Sequence, residues 1–213
     1  SSSENISYVD LSTYFGEYEG SFVLYDLEND AWSIHNKDHA TLRVAPNSTY
    51  KIYDALFGLE EGVITPENSF IAWNGEIYPF EAWNADQTLQ SAMNSSVNWY
   101  FQTVDEQLGA SDVYSYIQEI GYGNENMSGD FSTYWMESSL EISPIEQVEL
   151  LAKLQNNSFG FAPENISTVK DAICLSSSDA GTFYGKTGTG RVNGQYVNGW
   201  FIGYIETADN TYF

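Results

Sequence analysis

Residues 41–62 read TLRVAPNSTYKIYDALFGLEEG, and within them the spacing of apolar residues changes from that of a strand to that of a helix. Ile52, Ala55, Leu56 and Leu59 fall three or four apart, the repeat that lines one face of an α-helix. Gly62 can turn left-handed and close that helix as a C-terminal cap. Ser48 is thereby placed at or near a helix N-terminus. Working outward, GSFVLYD (20–26) and WSIHN (32–36) are β-rich runs parted by ENDA, which predicts a hairpin. The middle of the chain reads as helical. One helix is expected after Ser95 and Ser96 and stops at Gly109, and a second runs from Ser111 to a cap at Gly121. In SPIEQVELLAKL, Ser143 is the N-cap, Pro144 takes the first helical position and Glu146 stands three residues after the cap, which makes a capping box. A further helix follows Pro163, with Ile166, Val169 and Ile173 along one face. After Gly181 the β pattern returns in TFYGKTGT, a turn at Asn193 and Gly194, and QYVNGWFIGYIE. Asp209 and Asn210 mark another turn, and TYF begins a further strand. Strands at both ends around a helical middle predict an α+β fold, with one sheet built from both ends and a helical lobe inserted between them.

The 213 residues suffice for one domain with its own core, and 42% hydrophobic with 16% aromatic content marks a folding chain. Thirty acidic against seven basic side chains give a net charge of −23. That excludes nucleic acid as a partner, because phosphate recognition needs clustered Lys and Arg, and it argues equally against an anionic membrane or wall polymer. The single cysteine, Cys174, rules out an intrachain disulfide. No apolar run is long enough to span a bilayer, and SSSENISYVD at the start has no signal-peptide pattern, so any targeting or membrane segment is expected upstream. His35 and His39 lie in a polar stretch without a metal-binding spacing and read as surface residues; no metal site is expected.

Three short motifs carry chemistry. In Ser48-Thr49-Tyr50-Lys51, positions i and i+3 of a helix share a face, which sets a base beside a hydroxyl that is a weak nucleophile alone. A helix start also aims the backbone N–H of Ser48 and the positive end of the dipole at a developing oxyanion. By itself the spacing is weak, since serine is frequent here. Lys186-Thr187-Gly188 sits on an expected strand, in a chain with five lysines. Its cation and hydroxyl can hold a substrate carboxylate, its glycine can let a ligand lie against the strand, and the N–H of Thr189 can serve as a second oxyanion donor. Ser96-Val97-Asn98 falls between the two; taken alone it reads as an N-cap serine opening a helix. In the order SxxK, SxN, KTG, the three form the signature of the serine β-lactamases and penicillin-binding proteins.

The runs YEGSFVLYD, APNSTYKIYDALFGLEEGVI, SAMNSSVNWYFQ, YWMESSLEISPIEQVELL and YGKTGTGRVNGQYVNGWFIGYIE resemble class D (oxacillinase-type) β-lactamases. More narrowly, they resemble the extracellular sensor domain of Gram-positive β-lactam sensor-transducers. The resemblance covers nearly the whole chain. It implies a mainly antiparallel sheet flanked by helices, with the site between sheet and helical lobe. It further implies Ser48 as the acylated nucleophile, Lys51 as its base, activated as a lysine carbamate formed with CO₂, and Ser96 as a proton shuttle to the leaving nitrogen. Lys186 and Thr187 would place the drug carboxylate, and Trp135 matches the tryptophan that bonds the carbamate. No other cofactor is implied. Residues 1–213 would form a single penicillin-recognising sensor domain that lacks the C-terminal strand and helix with which the family continues. In a receptor of this kind the domain lies outside the cell, and its partner is a membrane-embedded zinc protease region upstream. Class D hydrolases resemble S-x-V at the middle motif, whereas this chain has Asn98. An amide there can hydrogen-bond a protonated lysine and leave water without a base after acylation, which points to a receptor with a long-lived acyl-enzyme. The alternative is a secreted class D β-lactamase that hydrolyses penicillins, and a third reading is a D,D-peptidase.

Overall fold

A computed structural model describes residues 5–213; residues 1–4, at the head of the SSSENISYVD stretch, lie outside the described residues. The elements in chain order are β1 (Asn5–Tyr8), α1 (Ser12–Phe15), β2 (Phe22–Asp26), β3 (Ala31–His35), α2 (Lys37–Ala40), a 3₁₀ turn (Asn47–Tyr50), α3 (Lys51–Glu60), α4 (Leu89–Asn94), α5 (Asn98–Leu108) and α6 (Ala110–Ile120). They continue with α7 (Pro144–Gln155), α8 (Pro163–Ala172), β4 (Cys174–Ser178), β5 (Gly181–Val192), β6 (Gln195–Glu206) and β7 (Thr211–Tyr212). One sheet runs in the order β1-β3-β2-β7-β6-β5-β4, antiparallel except where β1 pairs with β3. The expected α+β arrangement is therefore present, with β7 from the end of the chain paired to β2 from its first part.

The turns follow from their residues. Asn193 (φ 51°) and Gly194 (φ 78°) both take the left-handed conformation that a two-residue hairpin loop requires, and they set β5 against β6 over eleven residue pairs from Thr182 to Val192. Short β7 joins the halves of the sheet: Phe213 donates its N–H to the Tyr25 carbonyl at 2.9 Å, and Tyr25 returns one at 2.8 Å. The N-terminal hairpin β2–β3 is thus held by the C-terminal segment rather than standing alone.

Helix α3 lies at the centre. The periodicity gives it one apolar face, but every residue from Lys51 to Leu59 is buried, because sheet and helices enclose it on all sides. Gly58 lets α5 approach: a Cβ there would sit 2.7 Å from Cγ1 of Val104. Gly62 (φ 71°) and Gly121 (φ 68°) end α3 and α6 as expected. The capping box of α7 is complete, with Glu146 N–H on Ser143 Oγ (3.2 Å) and Ser143 N–H on Glu146 Oε1 (3.0 Å). The same Glu146 also takes a two-pronged pair from Arg43 at 3.0 and 2.9 Å.

Some readings change. His35 and His39 are half-buried: the Leu11 N–H donates to Nδ1 of His35 at 3.1 Å, and Nδ1 of His39 lies 2.8 Å from Ser21 Oγ. They tie loops to the hairpin, a role their polar setting did not reveal. The periodicity did not mark β1, β4 or α4, which are short and depend on their neighbours. No helix among the described residues is long and apolar enough to cross a membrane.

Candidate active site

The segment before α3 is fixed from three directions. Trp200 Nε1–H and Asn198 Nδ2–H of β6 both donate to the Ala45 carbonyl, at 2.8 and 2.9 Å, and the Asn47 N–H donates to the Trp135 carbonyl at 2.9 Å. Behind it, the bare face of Gly188 meets the turn. A Cβ there would lie 3.0 Å from Pro46 O, 3.1 Å from Thr49 Cγ2 and 3.3 Å from Thr49 N. The glycine of KTG therefore answers a packing demand between β5 and the 3₁₀ turn as well as bordering the cleft. Ser48 sits half-exposed in that turn, one residue pair ahead of α3.

Around Ser48 the three motifs converge. Lys51 Nζ lies 2.8 Å from Ser48 Oγ, 2.8 Å from Ser96 Oγ, 3.1 Å from the Ser96 carbonyl and 2.6 Å from Asn98 Oδ1. Two of those four atoms are carbonyl oxygens that can only accept, so two lysine N–H groups must point at Asn98 and at the Ser96 carbonyl. A neutral amine, which has two N–H groups, then turns its lone pair toward the serine hydroxyls and can take the proton of Ser48. An ammonium places its third N–H there instead. The same cage holds both states of the lysine. Met136 fixes the amide orientation by accepting from Asn98 Nδ2 at 3.4 Å.

Ser96 is not the N-cap that its motif suggested. It takes a left-handed φ of 51°, and Val97 occupies the cap position without a side-chain bond. The strained backbone turns both its hydroxyl and its carbonyl toward Lys51. Lys186 reaches the same hydroxyl, donating to Ser96 Oγ at 3.1 Å and to the Thr187 carbonyl at 3.0 Å. Burial pushes the Lys186 ammonium down to about 8, and burial, with the charge of Lys186 second, holds Lys51 well below the ordinary lysine value. Lys51 is fully buried beneath aromatic faces, 5.1 Å from the ring of Trp135 and 5.6 Å from that of Phe101. The indole Nε1 of Trp135 is buried with no acceptor.

Ser48, Ser96, Asn98, Thr187, Gly188 and Thr189 line one cleft of about 500 Å³. Lys51, Lys186 and Trp135 stand behind that wall. Thr189, paired in register with Gly199, is exposed at the cleft. The motifs did not point to Asn47, Phe80, Trp83, Met136, Glu137 and Tyr196, which with Ser95 and Arg191 complete the lining. Phe80 and Trp83 belong to the aromatic stretch FIAWNGEIYPFEAW, whose density was the available signal. Glu137 had none: Asn47 Nδ2–H donates to its Oε1 at 2.8 Å across ninety residues of chain.

Residues 20–213 match the family model of the penicillin binding protein transpeptidase domain. The regulatory protein BlaR1 of Bacillus licheniformis is 47% identical over 211 residues, which are 98% of this chain and 35% of that protein. The chain thus spans about a third of that relative's length. A probable β-lactamase, YbxI of Bacillus subtilis strain 168, is 36% identical over 98% of this chain and 77% of its own. Among solved structures, the C-terminal domain of the Bacillus licheniformis BlaR penicillin-receptor superposes with a TM-score of 0.95 at 46% identity, over 99% of this chain and 86% of that one. With the class D β-lactamase BAT-2 also superposing at a TM-score of 0.91 and 36% identity over 96% of this chain and 85% of that one, the chain belongs to the penicillin-binding-protein transpeptidase family, as a domain homologous to the sensor domain of that receptor group and to the class D β-lactamases.

Proposed function

We propose that this chain is the extracellular β-lactam sensor domain of a membrane-anchored receptor, acylated at Ser48 and slow to release the product. Ser48 Oγ attacks the lactam carbonyl while its proton passes to Lys51. The C–N bond breaks as Ser96 gives its proton to the leaving nitrogen and regains one from Lys51. Lys186 and Thr187 hold the drug carboxylate, and the N–H groups of Ser48 and Thr189 face the oxyanion. A membrane-embedded zinc protease region of the same receptor is the partner that reads out acylation.

The observation that carries the receptor reading is the 2.6 Å contact between Asn98 Oδ1 and Lys51 Nζ, short enough to be charge-assisted. It stabilises a protonated lysine against the burial that opposes one, and a protonated lysine cannot activate water. The surroundings of Lys51 also fit a carbamate, since the unpartnered Trp135 indole N–H offers it a donor. A carbamate supplies a strong proton acceptor for serine and for water when it forms. Asn98 Oδ1 then stands against the incoming negative charge, whereas the free Trp135 N–H is the feature that favours the alternative, a class D hydrolase.

Intact-protein mass after excess benzylpenicillin, followed for several hours, separates the two. The expected result is one adduct that stays on and is absent in Ser48→Ala, with faster loss of the adduct in Asn98→Val. Rapid return to the free mass with the drug consumed would establish the hydrolase instead.

A further inference from the structure

One turn beyond Lys51 on α3, Asp54 is fully buried, and it faces Asp105 of α5, which is 1% exposed. The two carboxyl groups lie within hydrogen-bonding reach of each other. Neither oxygen of Asp54, nor Oδ1 of Asp105, receives a donor from any other residue; Oδ2 of Asp105 accepts from the Tyr134 hydroxyl at 3.0 Å. Tyr134 in turn meets the Tyr50 hydroxyl at 2.7 Å, beside Lys51 in the chain. Two buried carboxylates that face each other without donors cannot both ionise, so they share one proton and carry a single negative charge. The groups facing the pair are Lys51 from α3, Glu106 from α5, and the neutral phenols of Tyr50 and Tyr134. Lys51 is the only cation among them, and Lys186 of β5 faces Lys51 from its other side.

We propose that the proton-sharing pair Asp54–Asp105 is a positioning device that supplies the counter-charge for Lys51, so that the lysine takes up and holds a proton in the acyl-enzyme. The proposal rests on acylation of Ser48. In the free protein, burial and Lys186 oppose the pair and leave Lys51 neutral, and in the newly occupied cleft the first proton it receives is that of Ser48. A drug carboxylate at Lys186 cancels that repulsion. The charge of the pair is then unopposed, and Lys51, neutral after giving its proton to the leaving nitrogen, takes another from solvent and keeps it. No base remains for water, and the ester persists.

The pair also separates charge from shape in a testable way. Asp54→Asn leaves one negative charge on Asp105 and replaces the shared proton with an amide donor. Asp54→Asn/Asp105→Asn removes the charge and keeps a hydrogen-bonded pair. A titration of [¹⁵N]lysine-labelled protein in CO₂-free buffer, with Lys51 assigned by Lys51→Ala, should show its midpoint falling by roughly one pH unit in the double variant and holding in the single one. An unchanged midpoint in the double variant, or an equal fall in the single one, would overturn the proposal. A second measurement needs no double variant: the infrared band of a protonated carboxyl at pH 7, present in the wild type and lost in Asp54→Asn. Its absence from the wild type would also overturn the proposal. Both readouts require no drug, so a missing penicillin adduct in the same samples would count against acylation alone.

Discussion

A single lysine nitrogen holds most of the chemistry at the residue scale. Lys51 joins Ser48, Ser96 and Asn98 within 3.1 Å, and under the proposed function its protonation decides between attack and storage. Lys186 is the residue whose charge can be followed with pH. Its folded value near 8 lies below that of an unfolded lysine because burial penalises the ammonium. Its positive charge is therefore present below about 8 and lost above it, so the second-order rate of acylation by benzylpenicillin should decline as pH rises through 8. Lys186→Gln should lower the rate and remove that limb. A rate that stays level to pH 10 would mean the carboxylate is held by another group. The stability sign is opposite: the unfolded chain binds more protons between about 8 and the ordinary lysine value of 10.5, so urea unfolding should show stability rising over that window.

At the scale of elements, the site depends on how closely β5 approaches the 3₁₀ turn. Gly188→Ala places a methyl against backbone atoms of Pro46 and Thr49, which cannot rotate away as a side-chain end would. Such crowding costs about 1–3 kcal/mol, and it acts on the turn that carries Ser48. The acylation rate is expected to fall roughly tenfold or more, since small misplacements of reacting groups are costly, with secondary structure by circular dichroism unchanged. Normal acylation in Gly188→Ala would show that the turn can retreat freely. The helices themselves were legible because their ends are written locally: Ser143, Pro144 and Glu146 open α7, and Gly62 and Gly121 close α3 and α6. Ser96 was misleading for the same reason. A serine before a helix reads as a cap, and only its left-handed backbone, between the end of α4, where the Val97 N–H bonds the Ala92 carbonyl, and the start of α5, turns it into the cleft.

For the whole molecule, a net charge of −23 surrounds a cleft that, under the proposed function, receives an anionic drug. Lys186, behind the cleft, and Arg191, stacked on Tyr196 at its edge, oppose that field locally. Salt screens distant charges more than near ones, as the Debye length shrinks from about 30 Å at 0.01 M to about 8 Å at 0.15 M. Acylation by benzylpenicillin should accordingly speed up several-fold over that range, and much less for zwitterionic ampicillin. A rate that falls with added salt would mean the local cations govern approach.

The sequence by itself determined the α+β class, the order of the longer strands and helices, and Ser48, Lys51, Ser96, Asn98 and Lys186 as a candidate group. Those follow from periodicity, capping residues and motif spacing, which act over a few residues. Only the tertiary structure decided that α3 is buried all round, that Gly188 faces a turn rather than only a ligand, and that Asp54 meets Asp105 beneath the lysine. Each of these depends on which distant segments meet. A carboxylate on a helix carries no local mark of whether water, a cation or a second carboxylate will face it, and that pairing sets its charge.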